Sequence, residues 1–146
     1  MDDPFDLERF VQAQDDDYDR ALSEITKGRK RSHWMWYVFP QFAGLGSSST
    51  SKQYAIKSIA EAQAYLAHPV LGPQLVECAE ALLQVQGLNA QEILGYPDDL
   101  KLRSCATLFA QVSTNSVFQR VIDKYFDGEP DDKTLRLISQ AKQAIR

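Results

Sequence analysis

Apolar residues recur at intervals of three and four along most of this chain, and this spacing limits the folds that it can adopt. The clearest stripe spans about four turns of a helix and consists of Leu71, Leu75, Cys78, Leu82 and Val85. A helix with one apolar face is stable only when other elements cover that face. Since no two segments alternate apolar and polar residues as paired strands do, the sequence predicts an all-α fold.

Helix-capping residues mark where the other helices begin. The predicted starts are Asp6, the acidic run 15–17, Ser58, Asn89, Asp98 or Asp99, Asn115 or Ser116, and Asp131 or Asp132. Gly28 is expected to end the second helix. In the last helix, Ile145 is expected to belong to the apolar face that packs on the core. Residues 34–39 are continuously apolar and fit either a buried strand or a helical turn, whereas residues 44–51 are typical of a polar loop. Together these features predict one domain over residues 1–146, with seven or eight short helices and irregular connections.

Bulk composition narrows the class of protein and of partner. The chain has 146 residues and a formal net charge of −4, so nucleic acid is not expected as a general partner. Its two cysteines, Cys78 and Cys105, lie in apolar helical segments and are expected to be free buried thiols. The acidic N-terminus lacks the apolar core of a secretory signal, and no apolar run is long enough to cross a bilayer. These features predict a cytoplasmic protein without a membrane segment.

Residues 27–41, which we call the basic-aromatic segment, hold the densest set of chemically active side chains. Four cations, Lys27, Arg29, Lys30 and Arg31, are followed by a histidine and by both tryptophans of the chain. Cations are favoured at the C-terminal end of a helix, and aromatic residues often form core, so a structural explanation stays open. A ligand site is the alternative, because arginine and lysine bind phosphate and indole rings stack on planar groups.

The candidate site is built around this segment. His33 is the candidate catalytic acid or base, since histidine titrates near neutral pH. The candidate ligand-binding residues are Arg29, Lys30, Trp34, Trp36, Tyr37, Gln41, Ser47, Lys101 and Ser104. Ser47 lies in the loop of glycines and serines, whose backbone amides can approach an anion. Lys101 and Ser104 are three positions apart and share one helix face, while the aspartates before them most simply cap that helix.

Several motifs together resemble one family. They are residues 3–7 (DPFDL), 28–41 (GRKRSHWMWYVFPQ), 44–48 (GLGSS), 61–66 (EAQAYL) and 97–104 (PDDLKLRS). These motifs resemble the DUF1810 family, small bacterial proteins of unknown function that are sometimes labelled calpastatin-like. The resemblance covers nearly the whole chain and implies an all-α fold, but it implies no activity and no site residues. We set the calpastatin label aside, because calpastatin is a long disordered inhibitor and this chain has the apolar periodicity of a compact domain.

The sequence favours two functions over a third, RNA binding, which would require the basic stretch to overcome the acidic total charge. The first is a cytoplasmic small-molecule binding protein or enzyme that acts on a phosphorylated, nucleotide-like ligand at the basic-aromatic segment. The C-terminal helices are similar to helical domains linked to ADP-ribose, so one version is cleavage of an N-glycosidic bond in an ADP-ribose-type compound. The second function is a protein-interaction module, because Trp, Tyr and Arg dominate binding hot spots. No His, Cys and carboxylate cluster has ligand spacing, so neither a metal site nor a cofactor is predicted.

Overall fold

The computed structural model describes residues 2–144 and confirms the all-α fold. The helices within that range are α1 Glu8–Thr26, α2 Met35–Val38, α3 Ser49–Gln53, α4 Ile59–Ala67, α5 Leu71–Gln84, α6 Ala90–Leu94, α7 Asp98–Ala110, α8 Val117–Tyr125 and α9 Asp132–Ala144. This described part contains no β-strand, and an isolated bridge joins Phe42 to Ile56. The helices outnumber the predicted seven or eight because α2 and α3 begin within segments 34–39 and 44–51. None of the described helices combines the length and apolar composition that crossing a bilayer requires.

The N-terminal segment forms one long helix, where the sequence predicted two. The acidic run 15–17 lies in the middle of α1, so the prediction that it opens a second helix is wrong. A buried face that runs along α1 holds it against α5 and α2 as a single unit. Asp6 does not cap the helix either, because it adopts a left-handed φ of 51°. Asp3 takes that role, and its carboxylate oxygens accept the backbone N–H groups of Leu7 and Glu8 at 2.8 and 3.0 Å.

The core is organised around α5, which packs against α1, α4 and α8. Its predicted stripe is confirmed, since Leu71, Leu75, Cys78 and Leu82 are all buried. Helix α7 extends this core by packing against α6, α8 and α9. Leu100, in the first turn of α7, is 45% exposed, so this end of the helix lies at the surface, and it carries part of the candidate site.

Predicted capping residues hold the starts of three helices. Ser58 accepts the backbone N–H of Glu61 at 3.0 Å at the start of α4. At the start of α6, Asn89 forms the predicted reciprocal capping box with the residue three positions later. Asp131 accepts the backbone N–H of the residue three positions later at 3.0 Å, ahead of α9. Ile145, which was predicted to continue the inner face of α9, lies outside the described residues.

Candidate functional site

A buried carboxylate holds the basic-aromatic segment in place. Gly28 follows the end of α1 with a φ of 75°, as predicted, and the residues after it bond to Glu24 of that helix. Glu24 accepts the backbone N–H groups of Arg31 and Ser32 at 2.8 and 3.0 Å. It also accepts the Ser32 hydroxyl at 2.7 Å and the Trp34 indole N–H at 2.9 Å. Burial opposes the charge on Glu24, but these hydrogen bonds outweigh it and lower its pKa to about 2.

The two tryptophans differ in exposure. Trp34 is 0% exposed, and its indole N–H donates to Glu24. Because no face of this side chain is left for a ligand, its burial does not fit the predicted ligand-binding role. Trp36 is half-buried, and the Lys101 ammonium lies 4.0 Å from the centroid of its ring, within cation–π range. A Cβ on Gly46 would lie 3.3 Å from the Cη2 of Trp36, so the backbone of the glycine- and serine-rich segment 44–51 packs closely against the indole. Trp36 is the tryptophan at the surface.

Asp98 joins two lysines from distant parts of the chain. Its Oδ2 pairs with the Lys30 ammonium and its Oδ1 with the Lys101 ammonium, both at 2.9 Å. All three side chains are largely buried. Burial opposes the charge on Asp98, but the bonds from Lys101 and Lys30 outweigh it and lower its pKa. The prediction that this carboxylate caps α7 is wrong, because the helix has no side-chain capping bond.

Two adjoining clefts open on either side of the Trp36–Lys101 contact. The first cleft has a volume of about 280 Å³ and is lined by Lys30, His33, Met35, Trp36, Tyr37, Thr50, Asp98 and Lys101. The second cleft has a volume of about 290 Å³ and is lined by Trp36, Gln41, Leu45, Pro97, Leu100, Lys101, Ser104, Asp131 and Lys133. Trp36 and Lys101 belong to both linings, so the two clefts meet at this pair.

The first cleft contains the histidine and a hydrogen-bonded tyrosine. His33 is exposed, and its imidazole makes no hydrogen bond to another described residue. The Tyr37 hydroxyl donates to the carboxylate of Asp17 and lies 3.1 Å from the backbone carbonyl of His33. Burial and the hydrogen bond to Asp17 both raise the pKa of Tyr37. Tyr37 is therefore a protonated phenol that forms the cleft wall, and it is not a base.

The structure brings most of the predicted site residues together. Those in the two clefts are Lys30, His33, Trp36, Tyr37, Gln41, Lys101 and Ser104. Arg29 and Ser47 are exposed but lie outside both linings, while Trp34 is buried beneath the segment. Ser104 contributes to the wall of the second cleft, but its hydroxyl is 2.9 Å from the Thr134 hydroxyl in the interior. The side-chain oxygen of Ser104 is thus already engaged.

Other lining residues were missed by sequence reasoning. Asp98 was interpreted as a cap, although its spacing of three residues from Lys101 is typical of an ion pair on a helix. Thr50 was assigned to a connecting loop. Leu45 and Leu100 carry no local signal, because an apolar residue in a loop or at a helix start is ordinary. Only the packing of the loop against α7 places them at one cleft.

A larger depression, of about 420 Å³, lies beside the start of α1 and includes Arg9. The guanidinium of Arg9 has five N–H donors. They bond to the backbone carbonyls of Phe5, Asp6, Gln53 and Ala55 and to the carboxylate of Glu61, at 2.6 to 2.9 Å. Arg9 therefore ties α1 to the chain ahead of α4 and has no free donor for a ligand.

The two clefts can support anion binding and proton transfer. A lysine ammonium has three donors, and Asp98 uses one from Lys30 and one from Lys101. Each ammonium therefore keeps donors that Asp98 does not use, and His33 lines the same cleft. Within residues 2–144, no group of three or more His, Cys, Asp or Glu side chains is placed to hold a metal ion.

Fold and site together define a small all-α protein with a lysine- and tryptophan-lined double cleft. The chain belongs to the family described as "Protein of unknown function (DUF1810)", whose model matches residues 4–138. It is similar to the conserved hypothetical protein Rv1873 from Mycobacterium tuberculosis, whose crystal structure was determined at 1.38 Å. The two chains are 51% identical, with a TM-score of 0.93 over 94% of this chain and 99% of the other. A comparison with curated proteins found no match.

Proposed function

We propose that this protein binds a small phosphorylated, nucleotide-like ligand at the double cleft, with the anion beside the ammonium groups of Lys30 and Lys101. The observation that carries the proposal is the pairing of both ammonium groups with one carboxylate, at 2.9 Å each. Asp98 holds the lysines in position before a ligand arrives, so less side-chain entropy is lost on binding. Two lysines facing one acid also leave an excess of positive charge at the first cleft.

Local charge supports an anionic ligand even though the whole chain is acidic. The field inside a cleft depends on nearby groups more than on net charge. Asp17, which contacts the cleft residue Tyr37, accepts the Tyr37 hydroxyl and pairs with Arg20 at 3.2 Å. Asp17 is therefore already engaged by a hydroxyl and by a cation. An anion at the two ammonium groups meets attraction that bulk composition does not reveal.

An enzymatic version of the proposal gives His33 a role in proton transfer. The imidazole lines the same cleft as the paired lysines and has no hydrogen-bond partner among the described residues. In an ADP-ribose-type compound, His33 would protonate a leaving group or activate water during cleavage of the N-glycosidic bond. Substitution of His33 by Gln is expected to abolish turnover without lowering Tm. Equal loss of activity and of folding would count against a catalytic role.

The binding proposal is tested by titration of the purified protein with inorganic phosphate, AMP and ADP-ribose. Trp36 lies at the junction of the clefts, so its fluorescence is expected to change on saturation, and calorimetry measures the same affinity independently. Lys30→Ala and Lys101→Ala are each expected to weaken binding about tenfold, because each removes a charged hydrogen bond. Lys142→Ala, an exposed lysine on α9, is the charge-matched control. Absence of binding by all three compounds, or equal affinity in all variants, would overturn the proposal.

Protein binding is the second candidate function. Tyr96 is 72% exposed and Leu100 is 45% exposed, and Leu100 lines the second cleft. Exposed aromatic and aliphatic side chains next to a basic surface are typical of interaction hot spots. This candidate predicts no small-molecule binding and a stable complex or self-association in light scattering, which Leu100→Ser would weaken.

We also propose a cytoplasmic location. The support for it is the pair of free cysteines, Cys78 and Cys105, both of which are buried thiols outside any disulfide. Free thiols of this kind are typical of a reducing compartment. Fractionation of cells that express the tagged protein tests the proposal, and recovery outside the cytoplasm would contradict it.

A further inference from the structure

We infer that the ligand has two parts, an anion held in the first cleft and a planar ring held in the second, as in a nucleoside monophosphate. This inference rests on the proposed function and specifies the ligand further. Its starting point is size. The clefts have volumes of about 280 and 290 Å³, and each alone falls below the range of about 300–1,000 Å³ that is typical of small-molecule sites. Together, joined at Trp36 and Lys101, they fall within it.

The two clefts differ in chemistry. The first is dominated by the paired charges of Lys30 and Asp98 with His33 beside them. The second is lined by the charged residues Lys101, Asp131 and Lys133 as well, but it also presents apolar surface from Leu45 and Leu100. A planar ring would gain by covering the two leucines, whereas a phosphate placed against their apolar surface would lose hydration there. The anion therefore belongs in the first cleft and the ring in the second.

The contact between Lys101 and Trp36 fixes this orientation. The ammonium lies 4.0 Å from the ring centroid and covers that face of the indole. A ligand ring that stacked on this face would displace the ammonium and also remove it from Asp98. A ring beyond the contact, against Leu100, leaves both interactions intact. The Lys101–Trp36 pair thus separates the two subsites, and its ammonium faces the anion.

Gln41 is the residue that we assign to recognition of the ring edge. Its side chain lines the second cleft and makes no hydrogen bond to another described residue. A side-chain amide offers both a donor and an acceptor, which is the pattern that reads the edge of a nucleobase. Ser104 cannot take this role, because its hydroxyl is engaged with Thr134.

The test compares AMP with ribose 5-phosphate, which carries the phosphate but no base. AMP is expected to bind about tenfold more tightly, and Leu100→Ser is expected to remove that difference while the affinity for ribose 5-phosphate stays unchanged. Lys30→Ala is expected to lower the affinity for AMP and the affinity for ribose 5-phosphate by the same factor. Val70→Ser is the matched control, since Val70 is 42% exposed and lies away from both clefts, whereas Leu100 is 45% exposed.

The outcomes separate this inference from the proposed function. Equal affinities for AMP and ribose 5-phosphate, both reduced by Lys30→Ala, would refute the two-part ligand and leave anion binding standing. The same refutation follows if Leu100→Ser weakens both compounds by the same factor. If neither compound nor inorganic phosphate binds, the proposed function itself fails, and the inference fails with it.

Discussion

Replacement of Glu24 tests how the basic-aromatic segment is held. Its Oε1 accepts three N–H groups, from Arg31, Ser32 and Trp34, and its Oε2 accepts the Ser32 hydroxyl. Glu24→Ala leaves all of these donors without their partner. Glu24→Gln is the matched variant, because the amide oxygen can accept the three N–H groups and the amide nitrogen can donate to the Ser32 oxygen. Comparison of Glu24→Ala with Glu24→Gln therefore separates the effect of losing the hydrogen bonds from the effect of losing the charge.

The magnitudes follow from the environment of each donor. A buried donor without a partner costs about 1–3 kcal/mol, and the indole N–H of Trp34 has no access to water, since the residue is 0% exposed. The N–H groups of Arg31 and Ser32 lie nearer the surface and can recruit water. We expect Glu24→Ala to lower the free energy of unfolding by about 3 kcal/mol. Glu24→Gln should cost about 1 kcal/mol, because neutral hydrogen bonds are weaker than charged ones.

Stability at low pH gives a second test of the same carboxylate. The pKa of Glu24 is about 2 in the folded chain, below its ordinary value of 4.5. A lowered folded pKa stabilises the protein above the unfolded pKa, and this contribution is lost as pH falls from about 4.5 to about 2. Allowing for screening by solvent, we expect the free energy of unfolding of the wild-type protein to fall by about 2 kcal/mol over this range. This pH-dependent loss should be absent in Glu24→Gln.

Urea denaturation followed by tryptophan fluorescence measures both effects, with circular dichroism as the control for secondary structure. Free energies of unfolding at pH 7 and at pH 3 are obtained for the wild-type protein and both variants from linear extrapolation. Equal stability of Glu24→Ala and Glu24→Gln would refute the hydrogen-bond argument. A pH profile that is the same for the wild-type protein and Glu24→Gln would refute the assignment of the ionised carboxylate.

Three further predictions concern the core and its caps. Gly72→Ala should lower the free energy of unfolding by about 2 kcal/mol or more, because the new Cβ would strike the backbone carbonyl of Leu66; an unchanged Tm would contradict this. Burial raises the pKa of Cys78 to about 12 and that of Cys105 well above its ordinary value. Both thiols should therefore resist a thiol reagent at pH 8 until urea is added, and rapid reaction of the native protein would contradict the burial. Ser58→Ala should cost about 1 kcal/mol by removing a helix cap, whereas no change in urea midpoint would argue against that role.

The sequence by itself determined the helical class and most helix starts. The stripe from Leu71 to Leu82 and the caps at Ser58 and Asn89 act within a few residues of chain, so local physics is enough to predict them. It also identified the segment that contains His33 and the paired lysine Lys30. These side chains gather in one stretch, and their chemistry is visible without coordinates.

Only the tertiary structure decided which of those residues reach the surface together. Trp34 and Trp36 are the same residue type and lie two positions apart. Even so, Trp34 is buried in the core, where its N–H donates to Glu24, whereas Trp36 lines the clefts. Asp98 and Lys30 are separated by 67 intervening positions, and their ion pair depends on how α7 packs beside the end of α1. Such contacts join distant parts of the chain, and no periodicity or capping rule encodes them, because those rules describe only neighbours along the sequence.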